Sequence, residues 1–158
     1  MTRGFTRTTT WLLASTVGVA LLATAGPLHT LARSIYPEIT EHPDVAFVGL
    51  LAHNAAIAFI PAILVLVRWH THPQWQKAGD LLIATVLASQ AIAIGLGIGA
   101  WPHIIPHLPN LPFELAALAA GTQIWVTPED RSRQMKWAVT TGALLAAAAA
   151  LEVVGAVA

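Results

Sequence analysis

The 158-residue chain contains no cysteine, and charged residues make up only 10% of it. The lack of cysteine excludes disulfides, thiolate catalysis and cysteine-ligated metal sites. Soluble domains carry about 25% charged residues, so a water-soluble fold of this size would lack a polar surface. The net charge is zero, which gives no general attraction to nucleic acid. The low content of charged residues therefore favours a membrane protein, and we expect one polytopic domain over residues 1–158.

Apolar residues make up 56% of the chain, and its mean hydropathy is +0.65. They concentrate in five stretches, at residues 10–25 (extendable to 31), 45–67, 81–100, 113–126 and 137–157. A membrane crossing needs about 20 helical residues, so the fourth stretch is short. The pattern predicts an all-α membrane protein, a bundle of about five transmembrane helices.

The basic residues indicate the orientation of this bundle. Five crossings that start in the cytoplasm place seven of the eight lysines and arginines inside and only Arg33 outside. We therefore expect a multi-pass plasma (inner) membrane protein with its N-terminus cytoplasmic and its C-terminus outside. The first stretch also has the pattern of a signal peptide, with "TRGFTR" before the apolar run and a small-residue site at 23–25. We favour an uncleaved anchor.

Prolines at four positions separate the third stretch from the fourth: Pro102, Pro106, Pro109 and Pro112. Each lacks a backbone N–H and disfavours helix just before it, so a regular helix cannot cross this segment. Two interpretations stay open. The segment is either a broken or re-entrant element that dips into the bilayer and points a helix N-terminus at a polar pocket, or a rigid external loop that starts a helix.

Two local patterns predict how helices pack and begin. Gly95 and Gly99 lie one turn apart on one face, which favours close helix packing over a glycine-lined pore, and Gly142 with Ala146 repeats the pattern. "TPEDRSRQ" predicts the start of the last helix, with Thr127 as its N-cap.

Polar side chains at membrane depth are costly and usually face the bundle interior, where they find partners. With the predicted orientation, five of them fall in the outer half of the bundle although they are far apart in sequence. They form a predicted intramembrane polar cluster of His53, Asn54, Asn110, Glu114 and Glu152.

Histidines near this cluster suggest a weaker hypothesis. His53, His103 and His107, together with Glu114 and Glu152, are ligand types that bind transition metals. We expect no cofactor, and this metal site is the alternative.

Three segments resemble the stage II sporulation protein M family of integral membrane proteins. "LLAHNAAIAF" is similar to the family's early Asn-Asn motif, with Asn54 at the second asparagine. "LPNLPFELAALAAG" is similar to its Pro-His-Gly-x-x-Glu-Leu hallmark, with Glu114 in register and with Asn110 and Leu111 where the family has histidine and glycine. "LLAAAAALEVVGA" is similar to its last helix, which carries a glutamate, here Glu152.

The resemblance implies a polytopic plasma-membrane protein. The family's namesake belongs to an assembly that remodels peptidoglycan, in which partner subunits perform the hydrolysis. The leading hypothesis is therefore a membrane scaffold or partner-binding subunit of a cell-envelope complex. It would contact the lipid bilayer and other membrane subunits or further copies of itself. A transporter or channel component with an outward-facing site is the first alternative, and a metal-dependent membrane enzyme is the second.

Overall fold

The computed structural model describes residues 3–35, 54–102 and 109–157, without the side chains of residues 3 and 152–157. Within these ranges the chain is helical and contains no strand, which confirms the all-α prediction. The helices are α1 (Arg3–Ala25), α2 (His29–Ile35), α3 (Ile60–Leu66), α4 (Pro73–Ala100), α5 (Leu111–Val126) and α6 (Arg131–Val157). Residues 54–58 are also helical and lead into α3, and a 3-10 turn at Trp69–Thr71 precedes α4.

Two of these helices are long and apolar enough to cross a membrane. They cover Gly4–Ala25, with a mean hydropathy of 1.4, and Pro73–Ala100, with a mean hydropathy of 2.2. Helix α5 is apolar but has only 16 residues. The structure therefore supports two candidate spans, and a bundle of five crossings stays a prediction.

Several helix ends differ from those that the sequence predicts. Helix α4 begins at Pro73, well before residue 81, because a proline at the first helical position lets a polar segment start the helix. The prediction that Thr127 caps the last helix is wrong. Its hydroxyl donates to the Gln123 carbonyl 2.8 Å away, at the end of α5. Asp130 caps α6 instead, since its Oδ1 accepts a hydrogen bond from the Arg133 backbone N–H at 3.0 Å.

Helix α5 lies in the middle of the bundle. Ten of its 16 residues are buried, including the unbroken run 117–125. Its neighbours are α1, α6 and the segment formed by residues 54–58 and α3. By contrast, only 17% of the apolar window of α1 and 22% of that of α4 are buried, so most residues in these two windows are partly or fully exposed.

Glycines permit a close contact between α1 and α4. A Cβ added to Gly95 would lie 2.6 Å from the Val19 Cβ, and one added to Gly99 would lie 2.2 Å from the Ala23 Cβ. Only glycine permits this approach, which confirms the predicted packing role of the pair. An added Cβ at Gly142 meets no described atom within 4 Å, so the tight packing predicted there is not observed.

The same contacts give the helix directions. Later residues of α1 meet later residues of α4, so these two helices run parallel. Gly4, near the start of α1, lies beside Gln123 near the end of α5, so α5 runs the opposite way. Residues 54–58 and α3 run parallel to α5, because Asn54 meets Glu114 and Ala58 meets Gly121.

Candidate functional site

The candidate site is built around the Glu114 carboxylate. Its Oε1 accepts a hydrogen bond from the Asn54 amide Nδ2 at 2.9 Å and another from the Asn110 Nδ2 at 3.2 Å. The three residues come from two chain segments, and Asn54 and Glu114 are 60 positions apart. The structure therefore brings together three of the five residues of the predicted polar cluster. We call Asn54, Asn110 and Glu114 the carboxylate–amide cluster.

Local geometry at the start of α5 holds two of these side chains together. The Asn110 carbonyl accepts hydrogen bonds from the backbone N–H groups of Phe113 at 2.9 Å and Glu114 at 3.1 Å, which forms the first turn. Asn110 and Glu114 are four residues apart, so they share one helix face. The carboxylate also lies in the first turn of α5, where the helix dipole favours negative charge.

A glycine contact brings Asn54 to this turn. The Ala58 carbonyl oxygen lies so close to Gly121 that a Cβ there would be only 2.1 Å from it. Because residues 54–58 run parallel to α5, this contact sets the spacing of the two helices one turn beyond Asn54. Any side chain larger than glycine at position 121 would push Asn54 away from Glu114.

One buried polar atom of the carboxylate–amide cluster forms no hydrogen bond within the described part of the chain. Asn110 is only 4% exposed, and its Oδ1 has no hydrogen-bond partner among the described residues. An unsatisfied buried acceptor costs about 1–3 kcal/mol. A hydrogen-bond donor or a positive charge next to this oxygen would therefore be stabilised.

The other predicted site residues cannot be placed in the same way. His53, His103 and His107 lie outside the described residues, so the predicted metal site stays a prediction. Glu152 belongs to α6, but its side chain is also outside the described part. Within the described ranges, no group of three His, Cys, Asp or Glu side chains is arranged to hold a metal ion.

Comparisons with known proteins add no relative. No protein-family model, curated protein or solved structure matches this chain. The function must be inferred from the geometry of the chain itself.

The opposite end of the bundle carries most of the positive charge. His70, in the turn before α4, approaches Glu129, in the turn before α6, with Nε2 and Oε1 3.7 Å apart. These two turns therefore lie side by side, close to the start of α1, where the Phe5 and Trp137 rings stack 5.4 Å apart. The six described cations at this end are Arg7, Arg68, Lys77, Arg131, Arg133 and Lys136. Arg33 lies at the other end, against the Trp101 ring at 4.9 Å.

Sequence reasoning missed one polar contact at this basic end. The Trp125 indole N–H donates to Asp80 Oδ1 at 2.7 Å, and the indole ring covers Gly79, where a Cβ would be 2.6 Å from a ring carbon. The available signal was the pair Gly79–Asp80 at the border of an apolar stretch. An acidic residue at such a border finds partners in a neighbouring helix.

Proposed function

We propose that this protein is a non-catalytic integral membrane subunit that holds partners in a cell-envelope complex. In this proposal the carboxylate–amide cluster fixes how residues 54–58 pack against α5. The resemblance to the stage II sporulation protein M family is part of the proposal, because the namesake's partners perform the chemistry. The observation that carries it is that both amides of the cluster donate to the same carboxylate oxygen.

That hydrogen-bond pattern is typical of a structural junction. Asn54 and Asn110 each direct their donor group at Glu114, and the hydrogen bond from Asn54 joins two helical segments. Interhelical hydrogen bonds of this kind contribute about 0.6 kcal/mol each in membranes, and up to about 1.7 kcal/mol. Together with the contact between Ala58 and Gly121, they favour one register of the two segments.

Exposed apolar surface and charge distribution support a membrane location. Large apolar side chains face outward on both candidate spans, for example Leu21 at 66% exposure and Leu81 at 69%. The cations gathered at one end of the bundle fit a cytoplasmic face, since cytoplasmic loops carry an excess of Lys and Arg. The carboxylate–amide cluster would then lie toward the outer face.

One observation favours the second candidate, a transporter or channel component. The buried Asn110 Oδ1, which has no hydrogen-bond partner in the described part of the chain, lies next to a carboxylate and a helix N-terminus, an arrangement suited to bind a ligand. Such a site would have to open toward water at some stage of transport.

A double-mutant cycle tests the structural role of the cluster. We expect Asn54→Ala and Glu114→Ala to be coupled by about 0.6–1.7 kcal/mol in the free energy of unfolding in detergent micelles. The matched control pairs Gln90→Ala with Glu114→Ala, because Gln90 in α4 has no hydrogen bond to the cluster. Equal coupling energies in the two cycles would remove the basis for the proposal.

Cysteine labelling separates the two candidate functions, and the chain has no native cysteine to interfere. A subunit with a fixed junction predicts that Asn110→Cys reacts slowly with a water-soluble maleimide, because this position is 4% exposed. The control Pro109→Cys, at an exposed neighbouring position, should react quickly. Rapid labelling at both positions would favour a transport site instead.

A further inference from the structure

A groove opens along α1 and α4 at the basic end of the bundle. It consists of two adjoining cavities of about 320 and 500 Å³ that share Arg7, Thr8, Ala84 and Leu87 in their walls. The smaller cavity reaches the end of α5, where Asp80 and Trp125 line it. The larger one continues between α1 and α4 past Trp11 and Ala88. We call this feature the α1–α4 groove.

The mouth of the groove carries one charge of each sign. Arg7 and Asp80 both line the smaller cavity, yet they form no ion pair with each other or with another described residue. Asp80 is held in place by its hydrogen bond from Trp125, which uses only Oδ1. A guanidinium and a carboxylate therefore face the same space, and each keeps hydrogen-bonding capacity for a ligand.

The larger cavity is mostly apolar. Beyond Arg7 its wall consists of Thr8, Ala84, Leu87, Ala88 and the exposed Trp11, and the smaller cavity also contains Thr122 and Gln123. Trp11 lies one helical turn beyond Arg7, and an arginine beside a tryptophan is typical of the headgroup level of a bilayer. In the proposed membrane location, the charged mouth of the groove lies at the membrane interface. The mostly apolar part of the groove runs toward the membrane interior.

We infer that the α1–α4 groove binds a zwitterionic phospholipid with a primary amine headgroup. Arg7 binds the phosphate, because a guanidinium pairs well with phosphate oxygens. Asp80 accepts hydrogen bonds from the ammonium group, and one acyl chain lies along Ala84, Leu87 and Ala88. This inference rests on the proposed membrane location, and it adds a specific ligand to the scaffold.

Charge complementarity distinguishes this ligand from other lipids. An anionic lipid without an amine would bring its phosphate close to Asp80 and offer that carboxylate at most neutral hydroxyl donors, without the positive charge of an ammonium group. Phosphatidylcholine carries a trimethylammonium group, which has no N–H to donate to a carboxylate. Only a headgroup with a phosphate and an ammonium with N–H donors satisfies both side chains.

Competitive lipid binding tests the inference. Delipidated full-length protein in detergent would receive equal amounts of phosphatidylethanolamine, phosphatidylcholine and phosphatidylglycerol with identical acyl chains, and bound lipid would be counted by native mass spectrometry. We expect roughly ten-fold more phosphatidylethanolamine than either competitor, as one charge-assisted hydrogen bond provides. Asp80→Asn should abolish the preference over phosphatidylcholine. Arg7→Gln should lower the binding of all three lipids.

Controls at the same end of the bundle keep the result interpretable. Lys77→Gln and Glu129→Gln remove one charge of each sign outside the groove, and we expect both to retain the wild-type preference. Ala84→Trp fills the groove from an exposed position without changing charge, and it should also reduce binding. Circular dichroism of each variant verifies that the helical content is unchanged.

Two outcomes would overturn the inference. Equal binding of the three lipids would show that the groove does not discriminate between headgroups. An amine preference that survives Asp80→Asn would show that Asp80 does not recognise the ammonium group. Alkaline carbonate washing of membranes provides a separate check. Release of the protein by this wash would overturn the membrane location itself, whereas a retained protein without lipid preference would overturn only the groove assignment.

Discussion

Replacing Gly121 by alanine adds a single methyl group at the point where α5 meets the helical residues 54–58. The new Cβ would lie 2.1 Å from the Ala58 carbonyl oxygen, against an ordinary contact distance of 3.4–4 Å. The obstacle is backbone, so no side-chain rotation can relieve it. The two segments must move apart by more than 1 Å, on the order of the deficit between these distances.

The expected cost follows from three contributions. Overpacking of this kind costs about 1–3 kcal/mol, and backbone contact places it near the upper value. Moving Ala58 also draws Asn54 away from Glu114, which costs about 0.6–1.7 kcal/mol for an interhelical hydrogen bond in a membrane. Alanine has a higher helix propensity than glycine, which stabilises the variant by about 1 kcal/mol. The net destabilisation is therefore about 2–4 kcal/mol.

Unfolding in detergent micelles, followed by circular dichroism during titration with a denaturing surfactant, measures this loss. Gly142→Ala is the matched control, because an added Cβ there meets no described atom within 4 Å and only the helix-propensity gain is expected. The two variants should shift stability in opposite directions. If Gly121→Ala proved as stable as Gly142→Ala, the close packing of residues 54–58 on α5 would be refuted.

Three further predictions concern other parts of the chain. Arg68 has a left-handed backbone conformation with a φ of 60°, so Arg68→Gly should raise the free energy of unfolding by about 1 kcal/mol, and Arg68→Ala, measured in the same assay, should not. Gly99→Val should destabilise the protein by at least about 1–3 kcal/mol in thermal unfolding because it separates α1 from α4, whereas Gly97→Val, at a position where an added Cβ meets no described atom within 4 Å, should have little effect. In intact cells an impermeant maleimide should label Ser34→Cys but not Ser132→Cys, and the reverse pattern would invert the proposed orientation.

The sequence was sufficient to predict that the chain is helical and that Gly95 and Gly99 form a packing face, because apolar runs and small residues are local signals. It could not show that α1 is the partner of that face, since about 75 residues separate the contacting positions and no spacing rule links them. Asn54, Asn110 and Glu114 could be grouped from their estimated depth alone. Their shared carboxylate oxygen could not be predicted, because it depends on side-chain geometry.

The α1–α4 groove was missed for the same reason. In the sequence Arg7 is one of the seven cations predicted to be cytoplasmic, and Asp80 lies just before the apolar stretch 81–100. Hydropathy marks where a helix becomes apolar and not where it begins, so it does not detect the polar first turns of α4. Pro73 was the signal that could have extended this helix.

The pairing of α1 with α4 has a consequence for biosynthesis. At about 5–20 residues per second, the ribosome needs on the order of 4–15 seconds to make the chain that separates Val19 from Gly95. In the proposed membrane location, the first helix has no glycine face of α4 to pack against during this delay, and it would have to be stable as a single helix in lipid. In this proposal its exposed leucines and valines stabilise the single helix in lipid during synthesis, before α4 has been made. A polar substitution among them should impair insertion even where the mature protein would tolerate it.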